Sequence, residues 1–224
     1  MNNDKYENNI ESEESEEKKN GILKEIMSWV FTLVFAVVFA YLITRFVIVN
    51  AIIPSASMET TIMTGDRIIA NRLEYDFSKP ERYDIAVFKF PDSTDTLYIK
   101  RVIGMPGDKV EIKDNEIYID DSTEPLEDSF INGNMITDNA VYYVPKEGDS
   151  LDDFSEFIDN TELYDKDGDG LFDEDCYFMM GDNRNRSADS RYWNNKFVPE
   201  SLMQGKAIFR YFPINKMKII KNDF

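Results

Sequence analysis

The chain has 224 residues, of which 43 are acidic and 25 basic, and it contains one cysteine and no histidine. The missing histidine excludes a Ser-His-Asp triad, a Cys-His pair and any imidazole metal site. The single cysteine excludes an internal disulfide and a thiolate zinc cage. A net charge of −18, without clustered Lys and Arg, argues against a nucleic-acid partner.

The N-terminal residues are strongly acidic. Residues 1–20 contain seven acids and three bases, and their only large apolar residues are Tyr6 and Ile10. Such a segment buries too little apolar surface to offset the entropy of ordering. Residues 1–21 are therefore predicted to be a disordered acidic cytoplasmic tail.

An uncharged stretch of 18 residues follows, from Met27 to Thr44. A helix of that length spans roughly 27 Å, and the apolar run resumes after Arg45. A cleavable signal peptide is the alternative, but no small-x-small cleavage site follows. We therefore predict a transmembrane anchor over 22–49 in contact with membrane lipid.

Basic residues flank this anchor unequally. Lys18, Lys19 and Lys24 precede it, and Arg45 alone follows it closely. The positive-inside rule then predicts a single-pass protein of the plasma membrane, with its N-terminus in the cytoplasm and its C-terminal domain on the extracytoplasmic face.

Beyond the anchor, short alternating runs predict a mainly β domain with antiparallel strands. The runs lie at 67–73, 84–90, 96–103 and 206–212. A hairpin is predicted over 109–119, with Asp114 and Asn115 forming the turn.

The stretch 148–175 interrupts this pattern, with twelve acids and one base. It has the composition of a loop and is predicted to lie on the surface of the β core. Asp165, Asp167 and Asp169, followed by Gly170, match the start of an EF-hand calcium loop. The twelfth position is Cys176 instead of Glu, so the alternatives are a simpler calcium loop, using Asp173 or Asp175, and a plain solvated acidic loop.

Without histidine, a serine nucleophile needs a lysine base whose pKa is lowered by burial. Lys100 lies in an apolar strand-like run, on the same face as Tyr98 and with Arg101 pointing the other way. Ser57 lies beside Pro54 in a turn between the anchor and the first strand. The alternatives are an edge-strand lysine and a serine in a plain linker.

Three stretches together resemble the sequence boxes of bacterial type I signal peptidases, the membrane serine proteases that remove signal peptides. PSASM at 54–58 resembles the nucleophile box, YIKRVIGMPGD at 98–108 the lysine box, and GDNRNRSADSR at 181–191 the third box. The third stretch alone also suits a surface turn with ion pairs. The order of the boxes matches, and the resemblance covers most of residues 25–213, as in the single-anchor branch of the family.

The resemblance implies a role for each matching residue. Ser57 is expected to be the nucleophile and Lys100 the general base. Ser187 is expected to hydrogen-bond and orient Lys100, and Ser55 to complete the oxyanion hole with the Ser57 amide. Asp189 and Arg191 are expected to form a supporting salt bridge.

The resemblance also implies a fold and a substrate. It predicts a signal peptidase-like fold, with a β-rich catalytic core of 50–106 and 176–224 and an inserted smaller cap region, 107–175. The substrates are expected to be exported precursors cleaved after Ala-x-Ala sites through an acyl-enzyme, and no cofactor is expected. The residues that match the substrate pocket of the family are apolar or aromatic: Ile53, Pro54, Met58, Ile62, Tyr98 and Ile99.

Two positions depart from the family pattern. Thr60 replaces a usual proline and Tyr83 a usual glycine. These changes concern local turn geometry and not the chemistry.

Among alternative functions, the related self-cleaving Ser/Lys repressors are disfavoured because the anchor is long and no DNA-binding segment is expected before it. The remaining alternative is a membrane-anchored, non-catalytic binding protein with a calcium-binding acidic loop.

Overall fold

The computed structural model describes residues 3–129 and 134–221. They belong to two compact units, Met1–Phe46 and Val47–Phe224. The first unit is a helix and the second is built mainly of antiparallel strands. The predicted mainly β class with one N-terminal apolar helix is confirmed.

The helix α1 extends over Asn3–Phe46. Its part from Leu23 to Phe46 contains an 18-residue window with a mean hydropathy of 2.4 and is long and apolar enough to cross a membrane. The prediction of a disordered tail differs from the structure, in which the backbone is helical from Asn3 onward. Low apolar content argues against a buried core but not against a helix, because Glu and Lys are good helix formers.

Eleven strands follow among the described residues of the second unit. They are β1 (Ile48–Ile52), β2 (Arg67–Asn71), β3 (Ile85–Phe90), β4 (Ser93–Gly104), β5 (Lys109–Lys113), β6 (Glu116–Ile119), β7 (Ala140–Tyr143), β8 (Cys176–Met180), β9 (Phe197–Pro199), β10 (Met203–Phe212) and β11 (Lys218–Ile219). A single helical turn, α2 (Glu74–Phe77), lies between β2 and β3. The alternating runs predicted at four places coincide with β2, β3, β4 and β10.

The main sheet has the strand order β1-β2-β10-β3-β4-β8-β9, with β11 paired to β10. Every pairing in it is antiparallel. The strand β4 lies in the interior of this sheet, between β3 and β8. The second half of β4, from Ile99 to Gly104, is buried.

A smaller sheet has the order β6-β5-β7. Its predicted hairpin is confirmed, since Lys113 pairs with Glu116 across the turn. Asp114 and Asn115 have φ values of 52° and 67°, the left-handed geometry that two-residue hairpin turns require. This sheet falls within the predicted cap region, 107–175, whose boundaries remain a prediction.

One hydrophobic cluster, here called the joint core, connects the two sheets. It contains Ile103 and Phe178 from the main sheet and Val110 and Tyr142 from the smaller one. The prediction that 148–175 lies on the surface is wrong in part, because this stretch also contributes buried residues: Leu151, Phe154, Ile158, Tyr164 and Phe172. Its acidic residues are exposed or half-buried, while most of its apolar side chains pack inward, as the burial of apolar area favours.

A second cluster lies under β1, β2, β3 and β10. Ile53, Met58 and Ile62 pack in it beside Ile99 of β4. The segment between β1 and β2 is thereby fixed against the sheet, close to the residues of the predicted site.

Candidate active site

Ser57 lies in a 3₁₀ turn, Ala56–Met58, that follows β1. It is only 5% exposed. The loop after β8 holds this turn in place, because the side-chain amide of Asn183 donates to the Ala56 carbonyl at 3.0 Å. The Asn183 backbone N–H donates to the Ser57 carbonyl, also at 3.0 Å.

Lys100 lies in β4, where it pairs with Ala86 of β3. The interpretation as an edge-strand lysine is wrong, because β4 is an interior strand and Lys100 is 4% exposed. Its Nζ lies 2.9 Å from the Ser57 Oγ and 3.0 Å from the Ile99 carbonyl oxygen. The structure thus brings together the predicted nucleophile and the predicted base.

The surroundings of Lys100 disfavour its charged form. Burial lowers the pKa of Lys100 from 10.5 to about 8, against the opposing influence of Asp189 and Asp182. The Tyr98 ring, whose centroid lies 5.2 Å from Nζ, forms part of these surroundings. An amine with a pKa near 8 is partly neutral at physiological pH and can accept a proton.

Two further serines were predicted at the site. The Ser55 Oγ lies 3.3 Å from the Ser57 Oγ, within reach of the same reacting centre. Ser187 is buried, but its Oγ has no hydrogen-bond partner among the described residues. The hydrogen bond expected from Ser187 to Lys100 is therefore not formed in this structure.

Gly181 explains how Ser187 fits beside the nucleophile turn. A Cβ at position 181 would lie 2.3 Å from the Ser187 Oγ and 2.4 Å from the Ser57 carbonyl oxygen. No side chain other than hydrogen fits that space. Glycine at 181 is thus required for the close approach of the third box to Ser57.

The expected salt bridge between Asp189 and Arg191 is present. The Arg191 Nε donates to one carboxylate oxygen of Asp189 at 2.8 Å, and Nη2 donates to the other at 2.9 Å. Asp189 also accepts the backbone N–H of Gly181 at 3.0 Å. The pair therefore supports the backbone that contacts both Ser57 and Ser187.

A second buried ion pair was not predicted from the sequence. Arg101 donates from Nε and Nη2 to the two carboxylate oxygens of Asp182, at 2.8 and 2.6 Å. Both side chains are fully buried, and Thr61 donates to the same carboxylate at 2.5 Å. The signal in the sequence was an arginine in an otherwise apolar run, since a buried guanidinium requires a partner.

The predicted pocket residues divide by exposure. Met58 and Ile62 are completely buried, and Ile53 and Ile99 are 2% and 8% exposed, so these four form the apolar layer beneath the site. Pro54 is exposed and Tyr98 is half-buried. A role in substrate binding stays a prediction for all six.

Tyr83, where the resemblance expects glycine, has a φ of 73°. The left-handed region favours glycine, and a bulky residue occupies it at a cost in backbone strain. The turn keeps the geometry that glycine would adopt. Its carbonyl accepts a hydrogen bond from the Arg101 Nη1 at 2.8 Å.

The predicted calcium residues are brought together in part. Side-chain oxygens of Asp165, Asp167 and Asp173 lie within 4.8 Å of one another, and Asp169 is outside this group. The backbone N–H groups of Gly170, Gly168 and Asp169 lower the pKa of Asp165. Asp175 instead pairs with Lys79 at 2.7 Å. Calcium binding stays a prediction, with Asp173 in place of Asp169.

Cys176, the single cysteine, is fully buried in β8. Burial raises the pKa of its thiol well above the usual value. Because the thiolate is the reactive form, this residue is unsuited to act as a nucleophile. Cys176 is thus a small buried side chain of the joint core.

Comparison with known proteins gives consistent results. The family model described as signal peptidase, peptidase S26, matches residues 26–212. A probable signal peptidase I-2 from Synechocystis sp. is 31% identical over 197 residues, which cover 86% of this chain and 76% of that protein. Signal peptidase IB from Staphylococcus aureus strain COL is 29% identical over 195 residues, which cover 87% of this chain and 94% of that protein.

Among solved structures, a signal peptidase I from Enterococcus faecalis V583 is 28% identical. The match covers 58% of this chain and 97% of the other, with a TM-score of 0.38. A TM-score this low does not establish a shared arrangement of the whole fold.

Proposed function

Since this chain belongs to the signal peptidase family, peptidase S26, and family membership supports removal of signal peptides by a serine protease, we propose that Ser57 and Lys100 form its catalytic dyad. The observation that carries the proposal is the distance of 2.9 Å between the Lys100 Nζ and the Ser57 Oγ. No histidine is present to serve as the base.

The first chemical step follows from this contact. Neutral Lys100 accepts the proton of the Ser57 hydroxyl as Oγ attacks the scissile carbonyl carbon. The apolar layer beneath the site keeps the amine available for this step, because burial favours its neutral form. The protonated amine then donates to the leaving amine, and an acyl-enzyme remains.

The second step reverses these roles. Lys100, neutral again, takes a proton from a water molecule as the water oxygen attacks the acyl carbon. The protonated amine then returns the proton to the Ser57 Oγ as the ester bond breaks and the signal peptide leaves. In both steps, negative charge develops on the carbonyl oxygen. The backbone N–H of Ser57, in the first turn of the 3₁₀ segment, and the hydroxyl of Ser55 are the proposed donors to that oxygen.

The substrates proposed are exported precursors with small side chains before the cleavage site, in an Ala-x-Ala pattern. Support comes from the apolar character of Ile53, Met58, Ile62 and Ile99 beside the dyad, which suits a small apolar substrate side chain. We further infer that α1 anchors the protein in the plasma membrane with the domain on the extracytoplasmic face. This follows from the 18-residue apolar window within Leu23–Phe46 and the unequal flanking charges.

The proposal is tested with the full chain in detergent and a precursor that carries an Ala-x-Ala site. Ser57→Ala and Lys100→Met are expected to lower the cleavage rate by about 10⁴-fold or more. Ser93→Ala and Lys89→Met change the same residue types at exposed positions and are expected to keep full activity. Cleavage by either dyad variant at the rate of the unchanged chain would disprove the dyad.

The same assay tests the alternative function, that of a non-catalytic, membrane-anchored binding protein. That alternative predicts no precursor cleavage by the purified unchanged chain. The substrate pattern is tested separately by replacing each small residue before the site with Phe, which is expected to abolish cleavage because the layer around Ser57 is tightly packed.

A further inference from the structure

The strand β7 forms an open edge of the smaller sheet. Among the described residues it pairs with β5 alone. The Lys109 carbonyl accepts the Asp120 backbone N–H on the opposite side of β5, so the facing residue Tyr143 occupies a non-hydrogen-bonded position. The N–H and C=O of Tyr143, and those of Val141 two residues before it, therefore point away from the sheet.

A cleft of about 730 Å³ runs along this edge, within the range of ligand-binding cavities. It is called the β7 cleft below. Its lining includes Val141 and Tyr143, which are 39% and 55% exposed, and Phe154 and Phe157 from the acidic stretch. The cleft thus offers apolar surface beside unpaired backbone groups.

The far wall of the β7 cleft is fixed to the rest of the domain. The Leu151 N–H donates to the Gly170 carbonyl at 3.0 Å, and the Phe172 N–H donates to the Asp149 carbonyl at 2.9 Å. The Phe157 ring packs edge-on against Tyr142, with ring centroids 5.8 Å apart. The width of the cleft is therefore set by packing, and no large rearrangement is needed to open it.

The charges of the β7 cleft select its ligand. Asp153 and Glu156 line it, and neither has an ion pair among the described side chains. Lys109 and Lys146 line it too, but the Lys109 Nζ is already paired with Asp121 and Glu111, and the single positive charge of Lys146 is matched in the lining by the carboxylate of Asp149. The rim therefore carries unneutralised negative charge, in a stretch with twelve acids and one base.

We propose that the β7 cleft binds an extended basic peptide segment, which adds a strand to β7. The outward N–H and C=O groups of Val141 and Tyr143 would pair with its backbone, the mode of recognition known as β-augmentation. Lys or Arg side chains of the peptide would lay their aliphatic stems on the aromatic surface and direct their charged ends to Asp153 and Glu156. This binding is independent of the Ser57 and Lys100 chemistry.

The test uses the full chain in detergent, with Ser57→Ala to prevent cleavage, and a capped octapeptide that alternates Val and Lys. Titration is expected to show saturable binding, and hydrogen exchange at the Val141 and Tyr143 amides is expected to slow in the complex. The same peptide with N-methyl groups at alternate residues is expected to bind at least roughly tenfold more weakly, because its backbone cannot pair. A peptide with Glu for Lys is expected not to bind.

A pair of double variants separates the cleft from general attraction to the acidic stretch. Asp153→Asn with Glu156→Gln is expected to weaken binding by about 3- to 10-fold. Asp152→Asn with Asp159→Asn removes the same charge from exposed positions outside the cleft lining and is expected to change binding by less than about twofold.

Several results would overturn the proposal. They are equal weakening by the two double variants, equal binding of the N-methylated peptide, equal or tighter binding of the Glu peptide, and binding without slower exchange at Val141 and Tyr143. Slower exchange that depends on protein concentration and not on peptide would assign the edge to a second copy of the chain, and would also overturn it.

Discussion

The backbone N–H of Asn183 donates to the carbonyl of Ser57, at a distance of 3.0 Å and across 126 positions of sequence. This bond fixes the proposed nucleophile through its main chain, so the Ser57 hydroxyl is free to bond to Lys100. The support of Asn183 depends in turn on Gly181, which lets the two segments approach. The position of Ser57 is thus set by the loop after β8 as much as by its own turn.

The activity is expected to depend on pH through Lys100. Because the amine acts as a base and burial lowers its pKa to about 8, the fraction of active enzyme should rise with pH and level off above about 8. The measurement is kcat/KM for precursor cleavage between pH 6 and 10. A value of kcat/KM that does not rise with pH up to about 8 would contradict the role of Lys100 as the base.

Lys100→Met is expected to stabilise the folded domain while it abolishes cleavage. A pKa of about 8 in the folded state and 10.5 unfolded corresponds to a cost of roughly 3 kcal/mol for burying the protonated amine. Below pH 8 both states hold the proton and the full cost applies. Between pH 8 and 10.5 the unfolded state binds more protons, so the stability of the unchanged chain should rise with pH.

The measurement is the free energy of unfolding of both chains at pH 7 and pH 10.5. The advantage of the Met variant should be largest at pH 7 and should shrink toward pH 10.5. Lys89→Met, an exposed change on β3, serves as the control and should show no such dependence. A Met variant that is less stable at pH 7 would contradict the cost of the buried charge.

Ser55→Ala is expected to lower kcat by roughly 10²- to 10³-fold, because it removes a proposed donor to the oxyanion. The effect should appear in kcat more than in KM, since negative charge develops only in the transition state. Steady-state kinetics on a precursor peptide provides the measurement. An unchanged kcat would remove Ser55 from the proposed oxyanion hole.

Ser187→Ala separates stability from catalysis. The Ser187 Oγ is buried without a partner among the described residues, so its removal is expected to change the free energy of unfolding by less than about 1 kcal/mol or to raise it. If Ser187 orients Lys100 during the reaction, kcat should nevertheless fall. A variant with full activity at every pH would refute that role.

Asp189→Asn is expected to destabilise the domain by about 3 to 5 kcal/mol, because it leaves the buried guanidinium of Arg191 without its counter-charge. Chemical denaturation of the single variants and of the double variant with Arg191→Met measures the coupling. The double variant should be less destabilised than the sum of the two single changes. If the changes in the free energy of unfolding were additive, Asp189 and Arg191 would not stabilise the domain through their interaction with each other.

Most of the strands could be predicted from alternation, because a strand with one buried face carries its period in its own residues. β2, β3, β4 and the hairpin at Asp114 are examples. The proposed nucleophile, Ser57, and the proposed base, Lys100, came from the three matching boxes, and the 2.9 Å contact between them supports the proposal. The sequence pattern alone left an edge-strand lysine open, because an isolated strand does not reveal its neighbours.

Other features depend on contacts that are distant in sequence. Arg101 and Asp182 are 81 positions apart, so their pairing could not be read from either segment. The buried residues of 148–175 lie at irregular spacing among many acidic residues. Their burial could therefore not be predicted from a periodic pattern. The left-handed backbone of Tyr83 likewise does not follow from the preference of tyrosine, and its carbonyl bonds to Arg101, 18 positions away.

The joint core has a consequence for attempts to make a smaller version of this protein. Phe154, Phe172 and Tyr164 cover the same cluster as Phe178 and Phe197 of the main sheet. Deleting the stretch 148–175 would leave the rings of β8 and β9 facing water, and β8 leads directly into the loop that carries Asn183. The acidic stretch therefore contributes to the packing of the domain, and truncation there is expected to weaken the support of the proposed nucleophile, Ser57.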